Sequence, residues 1–242
     1  MVFFSVTRQV DFFMTNLYEK NIQCTEIEPP TTANRSVICL HGLGADGNDF
    51  VPIVNQLQLP TNHGIRFVFP HAPSMPVTIN NGYVMRAWYD IITPSLDKQL
   101  DEKGIANSVA IVSNIIAREE ARGISASNIV VAGFSQGGVM SLCTGLQYPR
   151  PIAGIVALSA YLPYPQAALH RLIAYQPNLP IFLGHGQYDP IVPYDLGHNA
   201  FIALKNCNFA VSWHSYAIPH SICPEEVSDI SLWLQNIFKL ID

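Results

Sequence analysis

Short apolar runs rich in β-branched residues recur along the chain, and longer stretches with a helical period separate them. Each run is nearly continuous rather than alternating, which is typical of parallel strands that are covered on both faces. The runs therefore predict buried strands at residues 36–40, 65–69, 128–132, 152–158, 179–183 and 209–213.

Between these runs, apolar residues fall at the spacing of one helix face. Residues 104–122 carry isoleucine and valine at this spacing, and Gly123 follows as a typical helix stop. Two further helices are predicted over residues 136–146 and 224–238, the second with acidic residues in its first turn. This alternation of strands and helices predicts an α/β fold with a mainly parallel central sheet and helices on both faces.

Residues 72–103 have no clear period and hold several proline, asparagine and glycine residues. A long irregular excursion within a compact domain is often a functional loop. No internal repeat, low-complexity tract or linker divides the chain. We therefore expect one domain over residues 36–242, preceded by an N-terminal extension and lead-in strand over residues 1–35.

The composition excludes several classes of protein. Hydrophobic residues make up 49% of the 242 residues and charged residues 13%, so the chain can bury a large core and is not disordered. The formal net charge is −5 and the lysines and arginines are scattered singly, which excludes nucleic-acid binding through a basic face. No apolar stretch approaches the ~18 residues that a membrane-spanning helix needs, so no integral membrane contact is expected.

The five cysteines have neither metal-ligand nor disulfide-framework spacing, and their number is odd. We interpret them as reduced thiols in a cytoplasmic protein that has no metal site. The N-terminus has a short apolar run but no basic region and no small-residue cleavage site, so it does not predict a signal peptide. The cysteines are Cys24, Cys39, Cys143, Cys207 and Cys223.

A glycine–serine–glycine pentapeptide carries the candidate nucleophile. Ser135 is the central residue of Gly133-Phe-Ser-Gln-Gly137, between a predicted strand and a predicted helix. So tight a turn holds the serine in a strained backbone conformation and lifts its hydroxyl above the sheet. The glycines are needed because a Cβ at either position would collide with neighbouring backbone. The alternative is a turn that only connects the strand to the helix.

An unactivated serine also needs a base and an orienting acid. After a turn of this kind, the acid follows in the chain and the histidine comes last. Asp189 lies in a glycine-rich turn after a predicted strand, with Asp195 as the fallback. His220 lies between the last strand and the last helix, which is the place expected of the base. His214 and His185 are the competing histidines, and we interpret both as structural.

Stabilising the oxyanion of the reaction requires two backbone N–H groups, one after the nucleophile and one from an early loop. Gln136 supplies the first. The segment His41-Gly-Leu-Gly44 follows the first long strand, and Leu43 is the candidate for the second. His41 is interpreted as a residue that shapes this loop rather than as the base.

Several segments in a fixed order carry a resemblance to a known family. They are Leu40-His-Gly-Leu-Gly-Ala-Asp-Gly47, Phe69-Pro-His-Ala-Pro73, Pro76-Val-Thr78, Ala87-Trp-Tyr-Asp90, Gly133-Phe-Ser-Gln-Gly-Gly138, Asp189-Pro-Ile-Val-Pro193 and His220. From about residue 36 to its end, the chain resembles the carboxylesterase, acyl-protein thioesterase and lysophospholipase family of small α/β-hydrolases.

The resemblance implies hydrolysis of carboxylic esters without a metal or an organic cofactor. It also implies that Leu43 and Gln136 are the oxyanion donors, and that residues 1–13 are an extension before the family's fold begins. For Trp88, ordinary core packing is the alternative to the role that the family implies. The residues that would line an acyl groove are Pro76, Val77, Thr78, Met85 and Trp88.

Three functions follow as hypotheses. The first is a serine carboxylesterase that acts on small-molecule or lipid esters through an acyl-enzyme. The second is an acyl-protein thioesterase or lysophospholipase that prefers long acyl chains. The third, from a different class, is a non-catalytic ligand-binding module, because a fold alone never proves a function. A homodimer is a further expectation for all three.

Overall fold

The computed structural model describes residues 22–164, 168–169, 176 and 178–240, and a central β-sheet organises them. Its strands and a separate hairpin are β1 (Cys24–Ile27), β2 (Arg35–Leu40), β3 (Ile65–Pro70), β4 (Ser74–Val77), β5 (Tyr83–Arg86), β6 (Ile129–Phe134), β7 (Gly154–Leu158), β8 (Pro180–Gly186) and β9 (Ala210–Tyr216). The seven-stranded sheet has the order β1-β3-β2-β6-β7-β8-β9. All neighbouring strands are parallel except β1, which is antiparallel to β3.

The six predicted strands are confirmed as β2, β3 and β6 to β9, with ends shifted by at most three residues. The largest extension is at β8 and β9, which continue together to Gly186 and Tyr216. There the side chains become polar, so the apolar run ends before the hydrogen-bonded ladder does.

The antiparallel strand β1 is a lead-in strand that lies in the same sheet as the rest of the domain. It pairs Cys24 with Pro70 and Ile27 with Phe67. Its sequence, Cys-Thr-Glu-Ile, is too short and too polar to show a strand period. The predicted extension over residues 1–13 lies outside the described residues.

Helices cover both faces of the sheet, as predicted. They are α1 (Val51–Gln56), α2 (Glu102–Ala121), α3 (Gln136–Gln147), α4 (Tyr194–Asn206) and α5 (Pro224–Ile237). One hydrophobic core joins the sheet to α2, α3 and α4, and a second joins it to α1 and α5. The sequence pattern predicted α2, α3 and α5, whereas α1 and α4 were not predicted.

The interpretation of residues 72–103 as wholly irregular is wrong in part. β4 and β5 form an antiparallel hairpin in this segment, closed by Asn81 and Gly82 at φ values of 55° and 74°. Proline, asparagine and glycine are residues of the turn and of its flanks, and they hide the two short strands from a periodicity test.

Among the described residues, no helix has both the length and the apolar character that a bilayer span requires.

Candidate active site

The pentapeptide around Ser135 forms a sharp turn between β6 and α3. Ser135 has φ 54° and ψ −120°, and α3 begins at the next residue. A positive φ is strained for a residue with a Cβ, at a cost of order 1–3 kcal/mol. The Ser135 N–H donates to the Leu158 carbonyl oxygen at 2.8 Å, which ties the turn to β7. The turn therefore presents the serine at the carboxyl end of the central strand.

The glycines of the turn are required by close backbone contacts, as predicted. A Cβ at Gly133 would collide with the Gly137 carbonyl oxygen, and one at Gly137 would collide with the Leu40 carbonyl oxygen. At Gly138, a Cβ would come 2.8 Å from the Ala160 Cβ. Helix α3 can pack this tightly on the sheet only because these positions carry no side chain.

The structure brings Asp189 and His220 together. The Nδ1 of His220 donates to Oδ2 of Asp189 at 2.6 Å. The other carboxylate oxygen, Oδ1, accepts from the backbone N–H groups of Ile191 and Val192 at 2.8 and 2.9 Å. Both carboxylate oxygens are therefore satisfied, and the hydrogen bond sets the imidazole tautomer with Nδ1 protonated and Nε2 free to accept a proton.

Ser135 is placed near this pair through its neighbour in the chain. The ring of Phe134 contacts the His220 imidazole with a centroid distance of 4.7 Å. Within the described residues, no hydrogen bond joins the Ser135 hydroxyl to His220. Such bonds are often long in the absence of substrate and shorten in the reacting complex.

The competing acid and histidines have other surroundings. Asp195 is exposed in the first turn of α4. His185 is buried, its Nε2 donates to the Val192 carbonyl at 2.9 Å, and burial lowers its pKa. His214 stacks on Phe182 and faces Asp229 at 3.3 Å. None of these three contacts the turn around the serine, whereas His185 supports the Asp189 loop.

The loop that contains Leu43 passes beside the serine. A Cβ at the preceding Gly42 would lie 3.5 Å from the Cβ of Ser135. The Leu43 N–H has no hydrogen-bond acceptor among the described residues. The Gln136 N–H is the first of α3, and the first N–H groups of a helix have no acceptor inside it. Two free donors therefore flank Ser135.

The side chain of Gln136 has a role that the sequence did not reveal. Its Oε1 accepts from the Trp88 N–H at 2.8 Å, and its Nε2 donates to the Tyr89 carbonyl at 2.7 Å. The buried amide therefore ties the start of α3 to the segment after the hairpin. A glutamine adjacent to the nucleophile gives no pattern that would predict this contact.

His41 shapes the loop from beneath, in line with its interpretation from sequence. Its Nδ1 donates to the Gly42 carbonyl at 2.7 Å, and its Nε2 accepts from the Ala72 N–H at 2.9 Å. Burial lowers the pKa of His41, so the ring is neutral and both nitrogens are occupied. It therefore has no free nitrogen with which to act as the base.

The five predicted groove residues fall into two groups. Val77 and Trp88 are buried, and the Trp88 Nε1–H donates to the His41 carbonyl at 2.9 Å. They support the loop from below and offer no open surface. Pro76 and Thr78 are exposed and Met85 is half-buried, with its sulfur 3.6 Å from where a Cβ of Gly44 would lie.

The described residues contain no cluster of three or more histidine, cysteine, aspartate or glutamate side chains that could hold an ion.

The fold and this site define an α/β-hydrolase with a serine at a nucleophile turn. Residues 22–238 match the family described as phospholipase/carboxylesterase. The chain belongs to this family, and it is a serine ester hydrolase.

Individual relatives show how far the similarity extends. Acyl-protein thioesterase 1 of Cryptococcus neoformans var. neoformans serotype D is 33% identical over 233 residues, which cover 88% of this chain and 97% of that protein. A probable carboxylesterase of Oryza sativa subsp. japonica is 35% identical over 210 residues, which cover 85% of this chain and 79% of that protein. The crystal structure of Zea mays acyl-protein thioesterase 2 matches with a TM-score of 0.78 at 29% identity, covering 89% of this chain and 99% of that one.

Proposed function

We propose that Ser135, His220 and Asp189 are the nucleophile, the base and the orienting acid of this enzyme. The observation that carries the proposal is the 2.6 Å hydrogen bond between Asp189 and His220, next to a serine in a strained turn. Geometry of this kind occurs where a serine must be activated for attack on an acyl carbon.

In the proposed reaction, His220 Nε2 removes the proton of the Ser135 hydroxyl while its oxygen attacks the ester carbonyl. Asp189 stabilises the imidazolium that forms. The tetrahedral intermediate collapses, the alcohol leaves with the proton from His220, and an acyl-enzyme remains on Ser135. Water then attacks the acyl carbon while His220 accepts its proton. The second intermediate collapses, the proton returns from His220 to the Ser135 oxygen, and the carboxylic acid is released.

The N–H groups of Leu43 and Gln136 are proposed to bind the oxyanion of both intermediates. They are free, they flank Ser135, and hydrogen bonds from His41 and from the Gln136 side chain hold their segments in place. Removal of a single donor of this kind lowers kcat by roughly 10²–10³-fold.

Carboxylic esters with short acyl chains are the proposed preferred substrates. Two of the five predicted groove residues are buried, so only Pro76, Thr78 and Met85 of that set offer surface to successive methylene groups. Small-molecule esters fit this preference, whereas lipid esters with long acyl chains would be hydrolysed more slowly.

A second candidate is a thioesterase or lysophospholipase that prefers long acyl chains and acts on acylated proteins or lysolipids. Two observations favour it. Several relatives are named acyl-protein thioesterase 1. The outer side of the hairpin also exposes Tyr83 and Val84, at 70% and 60% of their surface, beside the half-buried Met85. An acyl chain could lie along these side chains.

Hydrolysis of p-nitrophenyl esters from acetyl to palmitoyl separates the two candidates. We expect kcat/KM to be highest for short acyl chains. An extended groove would instead raise kcat/KM about fourfold for each added methylene, because each buried CH₂ is worth about 0.8 kcal/mol. A steady rise to palmitoyl would overturn the short-chain proposal, and a matched thioester series would then test the thioesterase. The Ser135→Ala variant is the blank for every substrate.

The cysteines support a proposed cytoplasmic location. The five cysteines all lie among the described residues and none of them forms a disulfide bond, and burial raises the pKa of Cys39 to about 12, so that thiol is unreactive. A cytoplasmic protein with reduced thiols fits this pattern.

We also propose that the catalytic domain spans residues 36–242 and that the lead-in part completes its sheet through β1. Homodimerisation stays a prediction for light scattering to test.

A further inference from the structure

Glu226 is a buried acid that the proposed reaction does not use. It lies in the first turn of α5, with 1% of its surface exposed. The backbone N–H of Cys223 donates to its carboxyl group. The other oxygen, Oε1, has no hydrogen-bond partner among the described residues. A buried carboxyl with so few partners needs an explanation, because burying its ionised form is costly.

The carboxyl group packs directly against the strand that leads to Asp189. A Cβ at Gly184 of β8 would collide with Oε1 of Glu226. Gly184 therefore leaves the space that the carboxyl group fills. β8 ends at Gly186, two residues after Gly184, and Asp189 lies in the turn that follows. Glu226 thus joins the start of α5 to the strand that positions the acid.

Contacts fix the loop that carries His220 at both of its ends, and Glu226 makes the contact at the later end. At the earlier end, Gln187 N–H donates to the Tyr216 carbonyl at 2.8 Å and Tyr188 N–H donates to the Ile218 carbonyl at 3.1 Å. At the later end, the loop enters α5 at Cys223, three residues after His220. The contact of Glu226 with β8 therefore lies just beyond this end of the loop.

The surroundings of Glu226 favour the protonated carboxyl group. Burial raises its pKa from 4.5 to about 8, and the negative charge of Asp229 on the same helix adds to the effect. The other titratable groups that face it are Tyr216 of β9 and the Cys223 thiol. β8 contributes Gly184 to the surroundings of Oε1, and the imidazole of His214 in β9 lies 3.3 Å from the Asp229 carboxylate. No lysine or arginine is among these groups.

We propose that Glu226 is a positioning residue for His220, and that ionisation of its carboxyl group displaces the start of α5 and loosens the His220 loop. The ionised carboxyl would need water or a donor that this contact does not supply, so it would move away from β8. This inference rests on the proposed role of His220. It predicts an alkaline loss of activity that does not come from the catalytic residues themselves.

The test is the pH profile of kcat and KM for p-nitrophenyl acetate, measured from about pH 6 to about pH 10. At about pH 9, one unit above the carboxyl's pKa, we expect wild-type kcat to be about tenfold below its neutral plateau, with little change in KM. Glu226→Gln keeps the shape of the protonated group and cannot ionise, so its kcat should fall less than about twofold over the same range.

Glu225→Gln is the matched control, because Glu225 occupies the same helical turn but is exposed, and its own backbone N–H lowers its pKa. This variant should reproduce the wild-type profile. Parallel profiles in all three proteins, or a wild type without alkaline loss, would overturn the role of Glu226. Activity in the Ser135→Ala blank would instead overturn the proposed triad.

Thermal unfolding provides a second measurement that does not depend on activity. The folded protein holds the Glu226 proton up to about pH 8, whereas the unfolded chain releases it near the ordinary value of 4.5. The thermal midpoint of the wild type relative to Glu226→Gln should therefore fall as the pH rises between these values. A constant difference in midpoint across this window would contradict the protonated, buried carboxyl.

Discussion

The Ser135→Ala variant is expected to lose about 10⁶-fold in kcat on any ester that the wild type hydrolyses. Without the hydroxyl no acyl-enzyme can form, and only the oxyanion donors and substrate binding remain to assist water. Alanine keeps the Cβ and therefore the strained backbone at φ 54°. We expect the fold and the thermal midpoint to be unchanged, so the loss can be assigned to chemistry.

Two further variants test whether the loss of kcat is specific to the Ser135 hydroxyl. Ser127→Ala removes a serine hydroxyl from an exposed position between α2 and β6, and its kcat should match the wild type. Ser135→Gly should be inactive and also more stable by about 1 kcal/mol, because glycine adopts a positive φ without strain. Substantial turnover in Ser135→Ala, with thermal unfolding like that of the wild type, would contradict the assignment of the nucleophile.

The Glu119→Ala variant is expected to lose about 3–5 kcal/mol in the free energy of unfolding. Glu119 of α2 is fully buried and accepts from Arg66 at 3.0 Å and Arg122 at 2.9 Å. Its removal would leave the largely buried guanidinium of Arg66 without its interior partner. The same arginines bind Glu26 and Glu28 of the lead-in segment, so the cluster fastens β1 to the domain.

Urea unfolding at neutral pH measures this loss, and Glu28→Gln is the matched control. Glu28 pairs with the same Arg66 at 2.8 Å but has 55% of its side chain exposed. An exposed pair is screened by solvent, so this substitution should cost no more than about 1 kcal/mol, and less in high salt. Equal losses for the two variants would show that burial of Glu119 does not decide the strength of the cluster.

The sheet could be predicted from sequence where its strands are buried on both faces. β2, β3 and β6 to β8 are nearly continuous apolar runs with mostly buried side chains, whereas β9, at the edge of the sheet, was predicted from the apolar run in which it begins and has no buried side chain. The short strands could not be predicted in this way. β1 has only four residues, of which Thr25 and Glu26 are polar, and β4 and β5 are interrupted by the residues that make their turn.

The order of the candidate catalytic residues along the chain was also readable, because each follows a strand that the pattern predicts. The structure places Asp189 against His220, and the roles of these residues stay a proposal. What sequence could not predict is contact between segments that lie far apart. The Gln136 amide on the Trp88 segment and the Glu226 carboxyl on Gly184 are contacts of this kind. Neither follows from local spacing.

Covalent labelling tests the proposed nucleophile most directly. Wild type and Ser135→Ala would be treated with a fluorophosphonate, digested and analysed by mass spectrometry. We predict one phosphonyl group per chain in the wild type, on the peptide that contains Ser135, complete loss of hydrolysis, and no label on the variant. Label on another residue, or hydrolysis that persists after complete labelling of Ser135, would contradict the proposed mechanism.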